Sequence, residues 1–219
     1  ITPGKTAPVF NGKPDRPYSM ADYADDAAAL LDALGWDRCA VFGVSFGGMV
    51  AQEFALRHQS RVSRLVLACT SPGGAGGASY PLHTIGNLTA EERARHMIPI
   101  NDVRRDAAWA TANPDAYKAR LENFVARGKL IEESEAGRMG ARRQIEARSH
   151  HDSFARLPQL KMPVFICGGR HDGIAKPASL QAMHRQIAGS KLELFEGGHF
   201  FLMEDPKAYA AIAGFLAAP

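Results

Sequence analysis

Three polar residues of this sequence follow short apolar runs: Ser45 in GVSFGG, Asp172 in GGRHDG and His199 in GGHF. A serine hydroxyl is a poor nucleophile until a base takes its proton, and a histidine base needs a carboxylate to orient it. The chain supplies all three groups, in the order serine, aspartate, histidine. Because a serine in a nucleophile elbow is followed along the chain by its acid and then by its histidine, the pattern predicts a hydroxyl nucleophile activated by the other two groups.

The residues around Ser45 predict a tight turn with the serine at its apex. An apolar run, CAVFG, precedes the serine and a helical pattern follows it, which is the arrangement of a nucleophile elbow. We expect Gly43 and Gly47 to be required, because side chains there would collide with neighbouring backbone. The N-terminus of the following helix would point at the same place, with the N–H of Phe46 as the first donor to an oxyanion. A glycine-rich turn with an incidental serine is the simpler alternative, and a phosphate-binding loop is disfavoured because no Lys-Ser or Lys-Thr pair follows the glycines.

Other polar residues could compete for these roles. His171 adjoins the aspartate, but it precedes the acid, and we interpret it as a polar loop residue. His150 and His151 could be read as a metal pair, yet adjacent histidines face apart and no third ligand is evident, so no metal site is predicted. Glu204 and Asp205 follow the histidine at the expected start of a helix, where acids are common.

Apolar runs alternate with helical patterns on both sides of a long polar stretch. The runs predict strands over residues 39–43, 62–69, 163–168 and 191–196. Because strand and helix alternate, we expect a mostly parallel sheet covered by helices on both faces, the doubly wound α/β class. The carboxyl ends of parallel strands share one edge of a sheet, so the loops carrying the serine, the aspartate and the histidine would converge there.

The stretch over residues 88–156 has a different texture, because strand-like runs vanish and acids alternate with bases. We interpret it as a helical cap, or lid, inserted into the α/β core. The predicted organisation is a first core part over residues 1–87 with the serine, then the lid, then a second core part over residues 157–219 with the aspartate and histidine loops. Apolar lid residues would either contact a hydrophobic substrate or pack on the core, and packing is the commoner role.

The composition argues against several classes of protein. With 26 Lys and Arg against 23 Asp and Glu, the net charge of +3 gives no reason to expect a nucleic acid or an anionic membrane as partner. No apolar run approaches the length of a membrane span. Cys39, Cys69 and Cys167 lie within or beside apolar runs, and their odd number argues against a disulfide framework or a zinc site. We therefore predict buried thiols in a reducing cytoplasm.

Across essentially its whole length the sequence resembles the α/β-hydrolase superfamily. PYSMADYADDAAALLDALGWDRCAVFGVSFGGMVAQEFAL is similar to the middle of that fold, and RLPQLKMPVFICGGRHDGIA and FEGGHFFLMEDPKAY are similar to its C-terminal part. The branch that it resembles most contains capped ester and lactone hydrolases, including enol-lactonase-like enzymes and methylesterases acting on polyketides. The resemblance implies that no cofactor is needed. It also implies Ser45 as nucleophile, His199 as general base, Asp172 as its partner and the N–H of Phe46 as an oxyanion donor.

The N-terminal part of that fold has no counterpart in the sequence. The family's sheet has eight strands, and a His-Gly loop after an early strand supplies a second oxyanion donor, whereas nothing before Ser19 resembles that region. We therefore expect an incomplete fold in which the strand over residues 39–43 is an exposed apolar edge. Such an edge would favour a homo-oligomer or a complementing N-terminal segment.

The predicted reaction is cleavage of a small hydrophobic carboxylic ester or lactone through an acyl-enzyme intermediate. A C–C bond hydrolase or a cofactor-free perhydrolase on the same scaffold is an alternative. So is a binding module without catalysis, because the N-terminal oxyanion loop is absent and one fold can serve several functions. A haloalkane dehalogenase is disfavoured, because that chemistry needs an aspartate where this chain has Ser45.

Overall fold

The computed structural model describes residues 18–132 and 134–218, so the start of the predicted first core part, residues 1–17, lies outside the described residues. The strands are β1 (Cys39–Val44), β2 (Val62–Ala68), β3 (Val164–Gly169) and β4 (Lys191–Phe195). The helices described are α1 (Met20–Ala33), α2 (Phe46–Arg57), α3 (Ala90–Asn101), α4 (Ala107–Ala112), α5 (Pro114–Glu132), α6 (Glu135–Ser149), α7 (Pro177–Gln186), α8 (Phe201–Glu204) and α9 (Lys207–Ala217).

The four strands form one sheet in the order β1-β2-β3-β4, and every neighbouring pair is parallel. The predicted strands are confirmed, each boundary differing from the expected one by no more than about one residue, the usual scatter at the end of an element. Within the described residues β1 lies at one edge of the sheet. Phe42 and Val44 on this strand are 38% and 39% exposed.

Hydrophobic clusters cover both faces of the sheet. Successive side chains of a strand point to opposite faces. In β2, Leu65 and Leu67 therefore join one cluster, whereas Val66 and Ala68 join the other. Buried residues of α1, α2 and α7 belong to the first cluster, and buried residues of α8 and α9 belong to the second. The predicted doubly wound α/β architecture is confirmed.

Most of the described residues between 90 and 149, in the connection from β2 to β3, are helical, as the texture of residues 88–156 predicts. Helix α3 begins with a capping box, in which Thr89 Oγ1 accepts the N–H of Glu92 and the Glu92 carboxylate accepts the N–H of Thr89. Helices α4, α5 and α6 follow before the chain returns to the sheet at β3. No helix within the described ranges is both long enough and apolar enough to cross a lipid bilayer.

Candidate active site

Ser45 lies between the end of β1 and the start of α2 in a strained backbone conformation, with φ 54° and ψ −116°. Positive φ values are uncommon outside glycine, and such strain is often found at functional sites. The turn is held at both ends, since the N–H of Ser45 donates to the carbonyl of Ala68 at 2.8 Å and the N–H of Gly48 donates to the carbonyl of Ser45 at 2.9 Å. A Cβ atom at Gly43 would lie 2.5 Å from the carbonyl oxygen of Gly47. The glycine before the serine is therefore required, as the sequence predicts.

The same expectation for Gly47 is wrong. A Cβ atom at this half-buried position meets no atom within 4 Å among the described residues. The second close approach is instead at the buried Gly48, where a Cβ atom would lie 2.5 Å from the Cβ of Thr70. Of the two glycines after the serine, Gly48 therefore allows the close contact of α2 with the residues that follow β2.

Asp172 and His199 lie in the loops after β3 and β4, and the structure brings both to Ser45. His199 Nε2 lies 2.8 Å from Ser45 Oγ, and His199 Nδ1 lies 2.8 Å from Asp172 Oδ2. The other carboxylate oxygen of Asp172 accepts the N–H groups of Ile174 and Ala175 at 2.7 Å and 2.9 Å. These two bonds fix the carboxylate, so Oδ2 is aimed at the imidazole.

The contacts assign the protons of the imidazole. The carboxylate of Asp172 can only accept, so Nδ1 of His199 must carry the hydrogen that joins them. In the neutral ring Nε2 is then the acceptor, and the hydroxyl of Ser45 donates to it. The Asp172 side chain is fully buried and the His199 side chain is 10% exposed. The arrangement can therefore withdraw a proton from Ser45 in a site largely shielded from water.

Phe46 is the first residue of α2, and its N–H belongs to the terminal group for which a helix offers no internal acceptor. Its ring packs edge-to-face on Tyr23, with ring centroids 5.1 Å apart. The N–H is thus held beside Ser45 at the positive end of the helix, where an anion is favoured.

The rival residues are placed elsewhere. His171 faces Glu196, with Nε2 and Oε2 3.5 Å apart, so it does not join the serine. His150 caps the end of α6, while His151 is buried. No group of three or more His, Cys, Asp or Glu side chains that could hold a metal ion occurs within residues 18–132 and 134–218.

The expectation that Glu204 begins a helix is wrong. Glu204 ends α8, and its carboxylate contacts Arg105 and the N–H of Gly198. Asp205 does precede a helix, since its side chain accepts the N–H of Lys207 at the start of α9. Sequence reasoning missed Glu204 and Arg105 as neighbours of the histidine loop. The paired glycines before the histidine signal a close approach, but they do not say what approaches.

The three cysteines are free thiols, and Cys69 and Cys167 are buried. Burial raises the pKa of the Cys69 thiol well above its ordinary value, and the nearby charge of Asp172 adds to that rise. Burial likewise raises the pKa of Cys167 to about 12. A thiolate is the reactive form of cysteine, so these two side chains are poorly suited to act as nucleophiles.

Comparisons with known proteins identify a matching family and similar proteins. A family model described as "Alpha/beta hydrolase family" matches residues 6–212. The chain is 27% identical over 201 residues to a poly(3-hydroxyalkanoate) depolymerase of Ectopseudomonas oleovorans, a match that covers 91% of this chain and 68% of that protein. It is 26% identical over 209 residues to a pimeloyl-[acyl-carrier protein] methyl ester esterase of Neisseria meningitidis, covering 90% of this chain and 74% of that one.

A solved structure is also similar. The crystal structure of the enol-lactonase from Burkholderia xenovorans LB400 superposes with a TM-score of 0.72, covering 94% of this chain and 75% of that one. The identity is 23%, so this likeness concerns the fold.

Proposed function

Because the chain belongs to the alpha/beta hydrolase family, we propose that it is a serine hydrolase that cleaves a carboxylic ester or a lactone through an acyl-enzyme intermediate. The observation that carries the proposal is the pair of 2.8 Å contacts from His199, one to Ser45 Oγ and one to Asp172 Oδ2. A hydroxyl, an imidazole and a carboxylate in this relation are the parts of an acyl-transfer triad on unrelated folds.

In this proposal Ser45 Oγ attacks the carbonyl carbon of the substrate while His199 Nε2 takes the hydroxyl proton. Asp172 holds the imidazole in the required tautomer and stabilises its positive charge. The N–H of Phe46 and the N-terminus of α2 stabilise the negative oxygen of the tetrahedral intermediate. His199 then gives the proton to the leaving alcohol. In the second half of the reaction His199 takes a proton from water, which attacks the acyl-enzyme, and then returns that proton to Ser45 Oγ as the acid leaves.

The names of the similar proteins support an ester as the bond that is cleaved. A depolymerase of a polyester and a methyl ester esterase are among the relatives, and an enol-lactonase shares the fold. Since the identities to the relatives are 27% and 26%, the proposal extends to the bond type and to a small hydrophobic acyl group, without naming the acid or the alcohol.

We further propose that residues 88–156 form a lid over the acyl pocket, between core parts at residues 1–87 and 157–219. Its support is the contact of α5 with the residue after the histidine, since the rings of Phe124 and Phe200 stack with centroids 6.0 Å apart. Helix α5 of this segment therefore contacts the residue that follows the proposed base.

Two measurements test the proposed function. We expect a fluorophosphonate probe to add one label to the protein, which peptide mass spectrometry locates on Ser45, and we expect Ser45→Ala to remove both the label and p-nitrophenyl ester hydrolysis. Removing the nucleophile typically costs several orders of magnitude in rate. Ser63→Ala is the control, because Ser63 lies on β2 away from the turn, and it should keep both. Full activity of Ser45→Ala, or a label on another residue, would overturn the assignment.

A further inference from the structure

One short segment contacts both the aspartate loop and the histidine loop. It comprises residues 100–105, from the end of α3 to the start of α4, and we call it the bridging segment. The N–H of Val103 donates to the carbonyl of His171 at 2.9 Å, and the carbonyl of Asn101 accepts the N–H of His199 at 2.7 Å. The helical region between β2 and β3 is thus bonded to the backbone of both loops.

Glycines give the bridging segment the room for these contacts. A Cβ atom at Gly173, beside the aspartate, would lie 2.5 Å from the carbonyl oxygen of Ile100. A Cβ atom at Gly198, beside the histidine, would collide with the carbonyl oxygen of Asn101. Because real Cβ atoms do not approach carbonyl oxygens so closely, contact with the bridging segment requires glycine at both positions.

A chain of ionic contacts joins the bridging segment to the histidine loop a second time. Arg105 Nη2 lies 2.5 Å from Glu204 Oε1 and 3.3 Å from Asp102 Oδ2. The second oxygen of Glu204 accepts the N–H of Gly198 at 2.9 Å. Burial alone would raise the pKa of the Asp102 carboxyl, but hydrogen bonds from Arg104 and the charges of Arg104 and Arg105 outweigh it and lower that pKa. The fully buried Asp102 side chain therefore stays ionised and anchors Arg105.

We propose that Glu204 and Arg105 are positioning residues for His199, an inference that rests on the proposed function in which His199 is the base. Glu204 holds the N–H of residue 198 and Asn101 holds the N–H of residue 199. Two successive peptide groups that carry the imidazole therefore have one fixed orientation, and Arg105 keeps the Glu204 carboxylate in place. A misplacement of about 1 Å at a reacting group can cost about 100-fold in rate, so loss of this support should act on catalysis through His199.

The kinetic test compares substitutions within this ionic chain. For an activated ester we expect Glu204→Ala to lower kcat by about 10- to 100-fold, with KM unchanged within about twofold. Glu204→Gln keeps an acceptor for the N–H of Gly198 and should retain more of kcat than Glu204→Ala. Arg105→Lys should likewise retain more than Arg105→Met, because the lysine still pairs with the carboxylate.

A second ion pair provides the matched control for a purely structural effect. Arg156 Nη2 lies 2.7 Å from Glu53 Oε2, and the Glu53 side chain is 9% exposed. Among the described residues, neither side chain forms a hydrogen bond or an ion pair with the serine, aspartate or histidine loops. Glu53→Ala should lower stability and leave kcat near wild type. If Glu204→Ala lowers stability to the same extent and keeps the kcat of this control, the positioning role is wrong.

A spectroscopic readout separates this inference from the proposed function. The proton on His199 Nδ1, identified by its absence in His199→Gln, should shift or broaden in Glu204→Ala and stay unchanged in Glu53→Ala. An unchanged resonance in Glu204→Ala would overturn the inference. If the wild-type protein takes no fluorophosphonate label and cleaves no ester, the proposed function fails and this resonance alone decides the positioning role. Should Glu204→Ala not fold, a wild-type resonance in both Glu204→Gln and Arg105→Met would overturn the inference.

Discussion

Asp172 and His199 are joined by a 2.8 Å hydrogen bond in which the carboxylate is already fixed by two backbone N–H groups. The carboxylate therefore has a fixed orientation, and the imidazole of His199 aligns with it. This asymmetry makes Asp172 the reference against which the imidazole is oriented.

Replacing the Asp172 carboxylate by an amide should strongly reduce turnover. In Asp172→Asn the side chain can present an N–H to Nδ1, which favours the tautomer whose Nε2 carries the hydrogen and cannot accept the proton of Ser45. We expect kcat for a p-nitrophenyl ester to fall by a factor on the order of 10⁴, as for the corresponding change in chymotrypsin-like proteases, with a small change in KM. His171→Gln, next to the aspartate but turned towards Glu196, should keep its activity. Full activity of Asp172→Asn would overturn the role assigned to the Asp172 carboxylate.

The glycines of the serine turn provide a second test, because two of them differ in surroundings. Gly43→Ala would place a methyl group 2.5 Å from the carbonyl oxygen of Gly47 and 2.6 Å from Ala51 Cβ, so it should lower the free energy of unfolding by about 1–3 kcal/mol and slow labelling of Ser45. Gly47→Ala meets no described atom and should raise helix stability by up to about 1 kcal/mol. Urea unfolding measures both changes. Equal losses in the two variants would contradict the packing described for this turn.

Much of the candidate site could be predicted from local sequence. The turn around Ser45 has its own motif, and the strands before Asp172 and His199 are short apolar runs that end in glycine-rich loops. The parallel arrangement then brings those loops to one edge of the sheet, which is why residues distant in the chain are found in hydrogen-bonding contact.

The rest could not be predicted, because it depends on how elements pack. Which glycine after the serine is crowded depends on where Thr70 lies against α2, a matter of how the helix sits on β2. The pairing of Arg105 with Glu204 joins residues 99 positions apart, and neither has a motif of its own. Acids are common near the start of a helix. Because Glu204 is interpreted in that way from the sequence, its contacts with Arg105 and Gly198 are not predicted.

His151 should make stability depend on pH. Burial lowers its pKa from 6.5 to about 4, although the charges of Glu53 and Asp152 act in the opposite direction and that of Arg156 acts with burial. Below pH 6.5 the unfolded chain binds a proton that the folded chain does not bind, so stability falls as the pH drops from about 6.5 towards 4. At pH 4.5 this side chain should cost about 2 kcal/mol relative to pH 7.5.

The check is urea unfolding of the wild type and of His151→Gln at both pH values. Other titrating groups contribute to both proteins, so the difference between the two pH dependences isolates His151. His150→Gln is the matched control, because this neighbour is exposed, and it should keep the wild-type dependence. If His151→Gln also loses as much stability as the wild type on acidification, the buried neutral imidazole is not the cause.

The stacked rings of Phe124 on α5 and Phe200 after the histidine test the proposed lid. They line a cavity of about 210 Å³ together with Arg127, whose guanidinium carbon lies 5.7 Å from the centroid of the Phe200 ring. If this wall covers the acyl group, Phe124→Ala removes apolar surface from the bound substrate and should raise KM about tenfold for a long-chain p-nitrophenyl ester and little for the acetate. Tyr209→Ala on α9, an aromatic residue that is 54% exposed, should change neither. Equal effects of Phe124→Ala on short and long esters would place the acyl group away from α5. A wall that contacts the acyl chain must affect long-chain esters more than short-chain esters.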